Sequence, residues 1–395
     1  MKRIAAEYLY TLDSYEPLVN GFVEYDDDGT IVSVGECEDV GKEETFYKGA
    51  LVPGFVNTHC HIELSHLQGK FAKKTGMAGF IDQINALRDI SDRTSRMECI
   101  RKWMDRLWSQ GVSAMGDISN GDESFPAKAA SPMYTRTFLE VFGSEPEDCA
   151  KVMESVGQLQ EKVAGYGLDA APTPHSCYTM SPELLTAASR AALDSGYLSY
   201  HSQESLQEEQ MLVSGSGALY ENRKRLGMST PPVTGRPSLF YFLDRIGKIH
   251  PAPFEEHILL VHEVCLTEEA ADAVNDKLKN AFVALCPMSN IFIHDTLPPV
   301  ALMRRKGMKI TVGTDSLSSN DTLDIVGEMH CLQKAFPYIS LGEILTWACR
   351  NGALFLGKEK ELGTIAPGKR PGIVLIEGLD ADGRLTDGSF SGRII

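Results

Sequence analysis

The sequence predicts an α/β fold: a (β/α)8 TIM barrel with a small β-sheet domain built from the two chain ends. Three observations predict it. From about residue 51, short apolar runs alternate with longer helical stretches, and eight such runs are present. Before and after that region the pattern changes to short β segments separated by polar turns. Metal-ligand residue types close several of the apolar runs: His59 and His61, His201, His262 and Asp315. The expected division is residues 1–50 with 357–395 for the small β domain and 51–356 for the barrel.

Taken in order, residues 3–10 and 18–25 read as strands separated by a polar turn. Residues 26–30, Asp-Asp-Asp-Gly-Thr, are a hairpin signal leading into 31–35. The apolar run 50–56 reads as one buried strand, the first of the barrel. An amphipathic segment, 97–109, precedes the second strand at 112–118. The series continues at 134–141, 168–172, 197–201, 258–262, 281–286 and 309–315. Residues 363–369 are turn-rich, and 373–377 form a final strand that pairs with the N-terminal segment. The connection 207–253 is long for a barrel, and long connections in compact domains tend to be functional. It starts directly after His201 and Glu204, so it is expected over the barrel mouth. There Tyr220, Phe240 and Tyr241 either pack on a planar substrate ring or serve as core contacts of a lid helix.

Hydrophobic residues make up 43% of the 395-residue chain, enough for a large core. No apolar run reaches the length of a membrane span. The start, Met1-Lys2-Arg3-Ile4, lacks a long apolar signal segment. A formal net charge of -16 disfavours a nucleic-acid polymer as partner, because phosphate binding needs a basic surface. Small neutral or cationic ligands and a homodimer are left open. Nine cysteines, an odd number with no Cys-x-x-Cys pair, fit reduced thiols in a cytoplasm. The missing pair also argues against a zinc finger and against the deaminases that hold zinc with Cys-x-x-Cys.

Successive strand residues point to opposite faces, so His59 and His61 aim the same way. Such a pair alone arises by chance or as core histidines; its weight comes from His201, His262 and Asp315 at later strand ends, where barrel enzymes carry their catalytic groups. Imidazoles plus a carboxylate suit a catalytic zinc or a similar divalent ion, which lowers the pKa of bound water toward ~7. Asp315 could hold the ion and also accept a water proton. Glu204, three residues past His201, can carry protons to substrate, or act as a helix N-terminal charge. Glu63 divides between a first-turn helix charge and a substrate contact. Asp117 and Glu140 end strands two and three and either support the site or cap loops. Cys60, Cys177 and Cys286 read as buried thiols.

Several motifs in order resemble the amidohydrolase superfamily, in its cytosine-deaminase-like and chlorohydrolase-like branch. Residues 53–61, Pro-Gly-Phe-Val-Asn-Thr-His-Cys-His, resemble its opening motif, and 173–184 resemble its substrate-site stretch. His201-x-x-Glu204, Val261-His262-Glu263, 286–290 (Cys-Pro-Met-Ser-Asn) and 313–320 (Gly-Thr-Asp-Ser-Leu-Ser-Ser-Asn) resemble the later ones. Asn351-Gly352-Ala353 and 363–369 resemble the closing segment. Residues 61–65, His-Ile-Glu-Leu-Ser, look most like aminodeoxyfutalosine deaminases. The resemblance implies one divalent metal, zinc or iron, held by His59, His61, His201 and Asp315. It implies Glu204 as proton shuttle, His262 as orienter of water, and His175, Glu63, Ser318 and Asn320 against substrate. Binuclear relatives carry a bridging lysine where this chain reads Pro172-Thr173-Pro174-His175, which favours a single ion. Two departures are Met180 in place of the usual Cys and Arg370-Pro371 where an acidic residue is usual.

The expected activity is hydrolytic deamination of an aminated heterocycle, an aminopurine, aminopyrimidine or nucleoside-like small molecule. A chlorohydrolase or cyclic-amide hydrolase is the rival within the superfamily, since chlorohydrolase relatives share His-x-x-Glu. An inactive barrel used as a scaffold is the rival outside it. The intact ligand set counts against the scaffold.

Overall fold

Both chain ends build one six-stranded sheet. Strands β1 (Lys2–Leu9), β2 (Leu18–Tyr25) and β3 (Ile31–Glu36) run antiparallel. β4 (Phe46–Pro53) joins β1 in parallel and, from the far end of the chain, β13 (Ile373–Glu377) and β14 (Phe390–Arg393) complete the order β14-β13-β4-β1-β2-β3. Ile4, Leu9, Val23, Leu51 and Ile373 pack together in its core. β14 escapes a sequence reading because its only large apolar residue, Phe390, is exposed on an edge strand. The computed structural model describes residues 1–37 and 45–395; residues 38–44, within the segment expected to belong to the small β domain, lie outside the described residues.

The apolar run 50–56 is two strands rather than one. Pro53 ends β4, and β5 (Phe55–Cys60) begins one residue later in a different sheet. Gly54 makes the junction because no side chain fits there: an added Cβ would strike Ser113 Oγ and the Pro371 carbonyl. Both halves are fully buried, so hydropathy alone carries no break.

β5, β6 (Val112–Ser119), β7 (Tyr134–Val141) and β8 (Asp169–Pro174) form one four-stranded parallel sheet. β9 (Tyr197–Ser202), β10 (Phe254–His262), β11 (Leu278–Leu285) and β12 (Lys309–Val312) form a second, in the order β12-β11-β10-β9. These eight strands fall on the eight apolar runs of the sequence. Parallel strands covered on both faces read as continuous apolar runs, and β6 is buried along its whole length. The two sheets meet at both seams. His201 N donates to the His175 carbonyl at 2.9 Å, and Asp315 N donates to the His59 carbonyl at 3.0 Å. Val56, Phe138, Leu259, Phe282 and Phe355 pack together below the strand ends that carry His59 and His262.

The helix before β6 runs Arg93–Ser109, a turn earlier than expected, because the Asp92 carboxylate caps it by accepting from Ser95 N at 2.9 Å. The 207–253 connection holds helices Leu206–Ser214, Ala218–Arg225 and Ser238–Ile246. Ser205 caps the first, in a Ser-x-x-Glu arrangement with Glu208. Among the described residues, no helix is long and apolar enough to cross a membrane.

Asp117, at the end of β6, is a brace. Its Oδ1 accepts from Ile62 N at 2.8 Å, just past His61, and its Oδ2 lies 2.5 Å from Lys128 Nζ. Both side chains are fully buried. Lys128 also donates to the Ser119 and Thr137 hydroxyls at 2.8 and 3.1 Å, so its ammonium is surrounded by acceptors.

Candidate active site

The C-terminal strand ends bring the expected ligands together. β5 carries His59 and delivers His61 one residue past its end; β9 carries His201, and β10 ends on His262. Asp315 follows β12 after a short turn. His262 and Asp315 both take left-handed backbone angles, φ +80° and +57°. Non-glycine residues rarely adopt these angles, and such outliers gather at sites where a side chain must be aimed.

His59 Nε2 and His61 Nε2 lie 3.2 Å apart, and Asp315 Oδ1 lies 3.8 and 3.6 Å from them. Nitrogens bound tetrahedrally to one zinc would sit about 3.3 Å apart, so the donor spacing fits an ion of that size. The ligand atoms of His59, His201 and His262 also lie within 4.8 Å of one another, as do those of His61, Glu140 and His201. Asp315 is oriented: Ser289 and Ser319 donate to its Oδ2 at 2.6 and 2.9 Å, leaving Oδ1 toward the imidazoles. His201 Nδ1 donates to the His175 carbonyl at 3.2 Å, which leaves Nε2 as its free lone pair. Burial, reinforced by neighbouring imidazoles, lowers His59 well below the ordinary range and His201 to about 3. The rings are thus neutral, the form that binds a metal.

Glu204 is not a helix-terminal charge. Ser205 is the N-cap of the next helix, and the Glu204 carboxylate turns the other way. Tyr178 donates to its Oε2 at 3.0 Å, while His262 Nε2 and His294 Nε2 stand 3.4 and 4.0 Å from Oε1. Burial pushes this carboxyl up, but His262, His294 and His201 together hold it below the usual carboxylate range. The backbone amides of Gln203 and Glu204 both donate to the buried Glu208 carboxylate, at 3.1 and 2.9 Å, which fixes the turn that presents Glu204.

His61, His201, Glu204, His262, Asp315 and Tyr178 line a cavity of about 260 Å³, near the lower end of the range for small-molecule sites, while His59 and His294 lie outside the lining. His175 lines it, stacked on His201 with ring centroids 4.5 Å apart. Glu63 and Ser318 line it too; Glu63 accepts from Asn120 N, and burial raises its carboxyl to about 7. Glu140 lines it, with Oε2 accepting from Asn120 Nδ2 at 2.9 Å. Asn320 does not line it. Its amide donates to the Thr314 carbonyl at 3.1 Å and to the buried Glu328 carboxylate at 2.7 Å, bracing the Asp315 loop from behind. Met180 and the thiols of Cys60, Cys177 and Cys286 are buried outside the lining.

Of the two readings of the aromatic residues in the long connection, the structure shows the core contacts. Phe240 and Tyr241 are buried in the main core, Tyr220 packs against it, and none faces the cavity. The far wall comes instead from two helices. Gly76–Leu87 supplies Met77, Phe80, Ile81 and Ile84, and Ala218–Arg225 supplies Leu219, Asn222 and Arg223. Asn222 ties the two together by donating to Asp82 at 2.9 Å. Both stripes follow i, i+3, i+4, i+7 spacing, visible in sequence but indistinguishable there from a core-facing stripe. His294 was also missed; its signal is helical, four residues after Asn290, whose side-chain amide lies 3.0 Å from His262 Nδ1.

The model of the amidohydrolase family matches residues 50–395. The chain belongs to the amidohydrolase family. Within it, the chain is 27% identical over 357 residues to a protein of Helicobacter pylori named adenosine deaminase, covering 87% of this chain and 84% of that one. It is 26% identical to a 5-methylthioadenosine/S-adenosylhomocysteine deaminase of Thermodesulfovibrio yellowstonii, covering 94% and 84%. It is 28% identical to an aminodeoxyfutalosine deaminase of Nitratiruptor, covering 83% and 78%. Among solved structures, Helicobacter pylori aminofutalosine deaminase in complex with methylthio-coformycin superposes with a TM-score of 0.81 at 24% identity, covering 96% and 93%. Atrazine chlorohydrolase from Arthrobacter aurescens with zinc gives 0.71 at 19% identity, covering 98% and 90%. These two likenesses show a shared amidohydrolase fold, in line with the motif resemblance.

Proposed function

We propose that this amidohydrolase is a hydrolytic deaminase of an aminated heterocycle carried on a nucleoside-like small molecule. The observation that carries the reading is Glu204. Its buried carboxylate faces the space shared by His262 and the His59, His61, His201 and Asp315 cluster. Deaminase-named relatives across most of the chain support it. In this reading the two parallel sheets are a closed (β/α)8 barrel, with the six-stranded sheet as a small domain made from 1–50 and 357–395. The enzyme works in a reducing cytoplasm.

His59, His61, His201 and Asp315 would hold one divalent ion, zinc ahead of iron. Such an ion lowers the pKa of water toward ~7 when bound. Asp315, aimed by Ser289 and Ser319, accepts one proton of the attacking water. Glu204, ionised at rest, takes the other proton of the water and delivers it to the ring nitrogen of the substrate, with Tyr178 and His262 fixing its carboxylate. The water oxygen bonds to the amidine-like carbon. Asp315 returns its proton to the exocyclic amine, the carbon–nitrogen bond breaks, and ammonia leaves. His262 orients the water, and His175, Glu63 and Ser318 hold the ring.

The test is ammonia release by metal-supplemented protein from aminopurine nucleosides, their free bases, aminopyrimidines, chlorinated heterocycles and a cyclic amide. Ammonia is expected, with higher kcat/KM for a nucleoside-like compound than for its free base. Chloride release without ammonia would turn the assignment to a chlorohydrolase. A metal-loaded protein inert toward the whole panel would favour the scaffold.

A further inference from the structure

Two serines aim Asp315, and each is the chain neighbour of a group bonded to one buried side chain. Ser289 Oγ donates to Asp315 Oδ2 at 2.6 Å, and the amide of Met288, the residue before it, donates to Glu328 Oε2 at 2.9 Å. Ser319 Oγ donates to the same Oδ2 at 2.9 Å, and the side-chain amide of Asn320, the residue after it, donates to Glu328 Oε1 at 2.7 Å. Glu328 is fully buried on the Ile325–Ala335 helix, outside the cavity lining.

Both contacts meet a local need. Met288 is the second residue of the Pro287–His294 helix, whose first amides have no partner within the helix. Cys286 at its N-cap makes no side-chain cap, so Glu328 caps this helix from another one. The helix start also places Asn290, whose side-chain amide lies 3.0 Å from His262 Nδ1. Gly327 permits the approach, since a Cβ there would stand 3.3 Å from Met288 Sδ. On the other side, Asn320 spans from Glu328 to the Thr314 carbonyl at 3.1 Å, directly before Asp315. A buried carboxyl group is costly unless its oxygens are bonded, and here each oxygen is bonded to a segment that holds Asp315.

We propose that Glu328 is a positioning residue: by fixing Met288 and Asn320 it sets Ser289 and Ser319 on Asp315 Oδ2, and so turns Oδ1 toward the imidazoles of His59 and His61. The inference rests on the reading of Asp315 as metal donor and proton acceptor. Glu328 touches neither substrate nor ion; it acts through the two serines. Partners that orient a metal-binding side chain typically contribute about 10- to 100-fold in metal affinity or activity.

The test is zinc affinity, read on stripped protein by competition with a chromophoric chelator. Glu328→Met keeps the bulk and removes both acceptors, and it should weaken zinc binding by about 10- to 100-fold. Glu328→Gln keeps one acceptor, is the gentler change for the fold, and should show a smaller loss. In a Ser289→Ala, Ser319→Ala background both donors to Asp315 are already gone. There Glu328→Met should weaken zinc binding by no more than about twofold further, because groups that act as one unit are not additive. A purely structural role would lower the unfolding midpoint and add its effect in full to that of the serines. Parent-like zinc affinity in both Glu328 variants, or full additivity with the serine pair, would overturn the proposal. At saturating zinc, Glu328→Met should also lower kcat for ammonia release with KM little changed, since Asp315 does not hold the ring. If the zinc pattern holds while the parent releases no ammonia from any compound of the panel, Glu328 keeps its role and the deaminase reading falls.

Discussion

Glu204→Gln is expected to lower kcat by about 10²- to 10⁴-fold, the usual contribution of a positioned acid–base group. Glutamine keeps the shape and can still accept from Tyr178, which stands 3.0 Å from the carboxylate. It cannot carry a proton between water and substrate. Because Glu204 is absent from the donor clusters around His59, the variant should retain its metal and its unfolding midpoint. His201→Ala is the contrasting case: it removes a donor and should lose the metal itself. Near-full turnover by Glu204→Gln on a good substrate would remove Glu204 from the mechanism.

Lys128→Ala should destabilise the fold by about 3–5 kcal/mol, the cost of leaving a buried charge without its partner. Asp117 Oδ2 would then face the space left by an ammonium that now stands 2.5 Å away in a fully buried pair. The strain reaches the site, since Asp117 Oδ1 holds Ile62 N directly after His61. Asp117→Asn combined with Lys128→Met removes both charges and keeps an acceptor for Ile62 N, so most of the loss should be recovered. Urea unfolding reads both variants. A Lys128→Ala protein as stable as the parent would mean that the pair does not hold this part of the fold.

The eight parallel strands were legible because each is covered on both faces and therefore writes a continuous apolar run. The candidate ligand cluster was legible because imidazoles and a carboxylate at the ends of such runs have few structural uses. The Gly54 junction was not, since the residues on either side of it, 50–53 and 55–56, are equally buried and the turn depends on Ser113 and Pro371, both distant in sequence. Asn320 illustrates another limit. Its place in the motif with Asp315 suggested substrate contact, yet its amide is held by Glu328 and the Thr314 carbonyl, a contact set only by how the Ile325–Ala335 helix docks. The cavity wall, Arg223 included, lies on helices whose stripes carry no mark of facing ligand rather than core. His294 approaches Glu204 only because the Pro287–His294 helix ends beside the turn after β9.

The most direct test of a single-metal deaminase is to strip the protein with chelator, titrate it with zinc, and follow ammonia release from an aminopurine nucleoside. The four donors His59, His61, His201 and Asp315, without a lysine near His175, predict that activity rises from zero, reaches its plateau at about one equivalent per chain, and changes little beyond. Ammonia release by the stripped protein, or a plateau that requires two equivalents, would contradict the account.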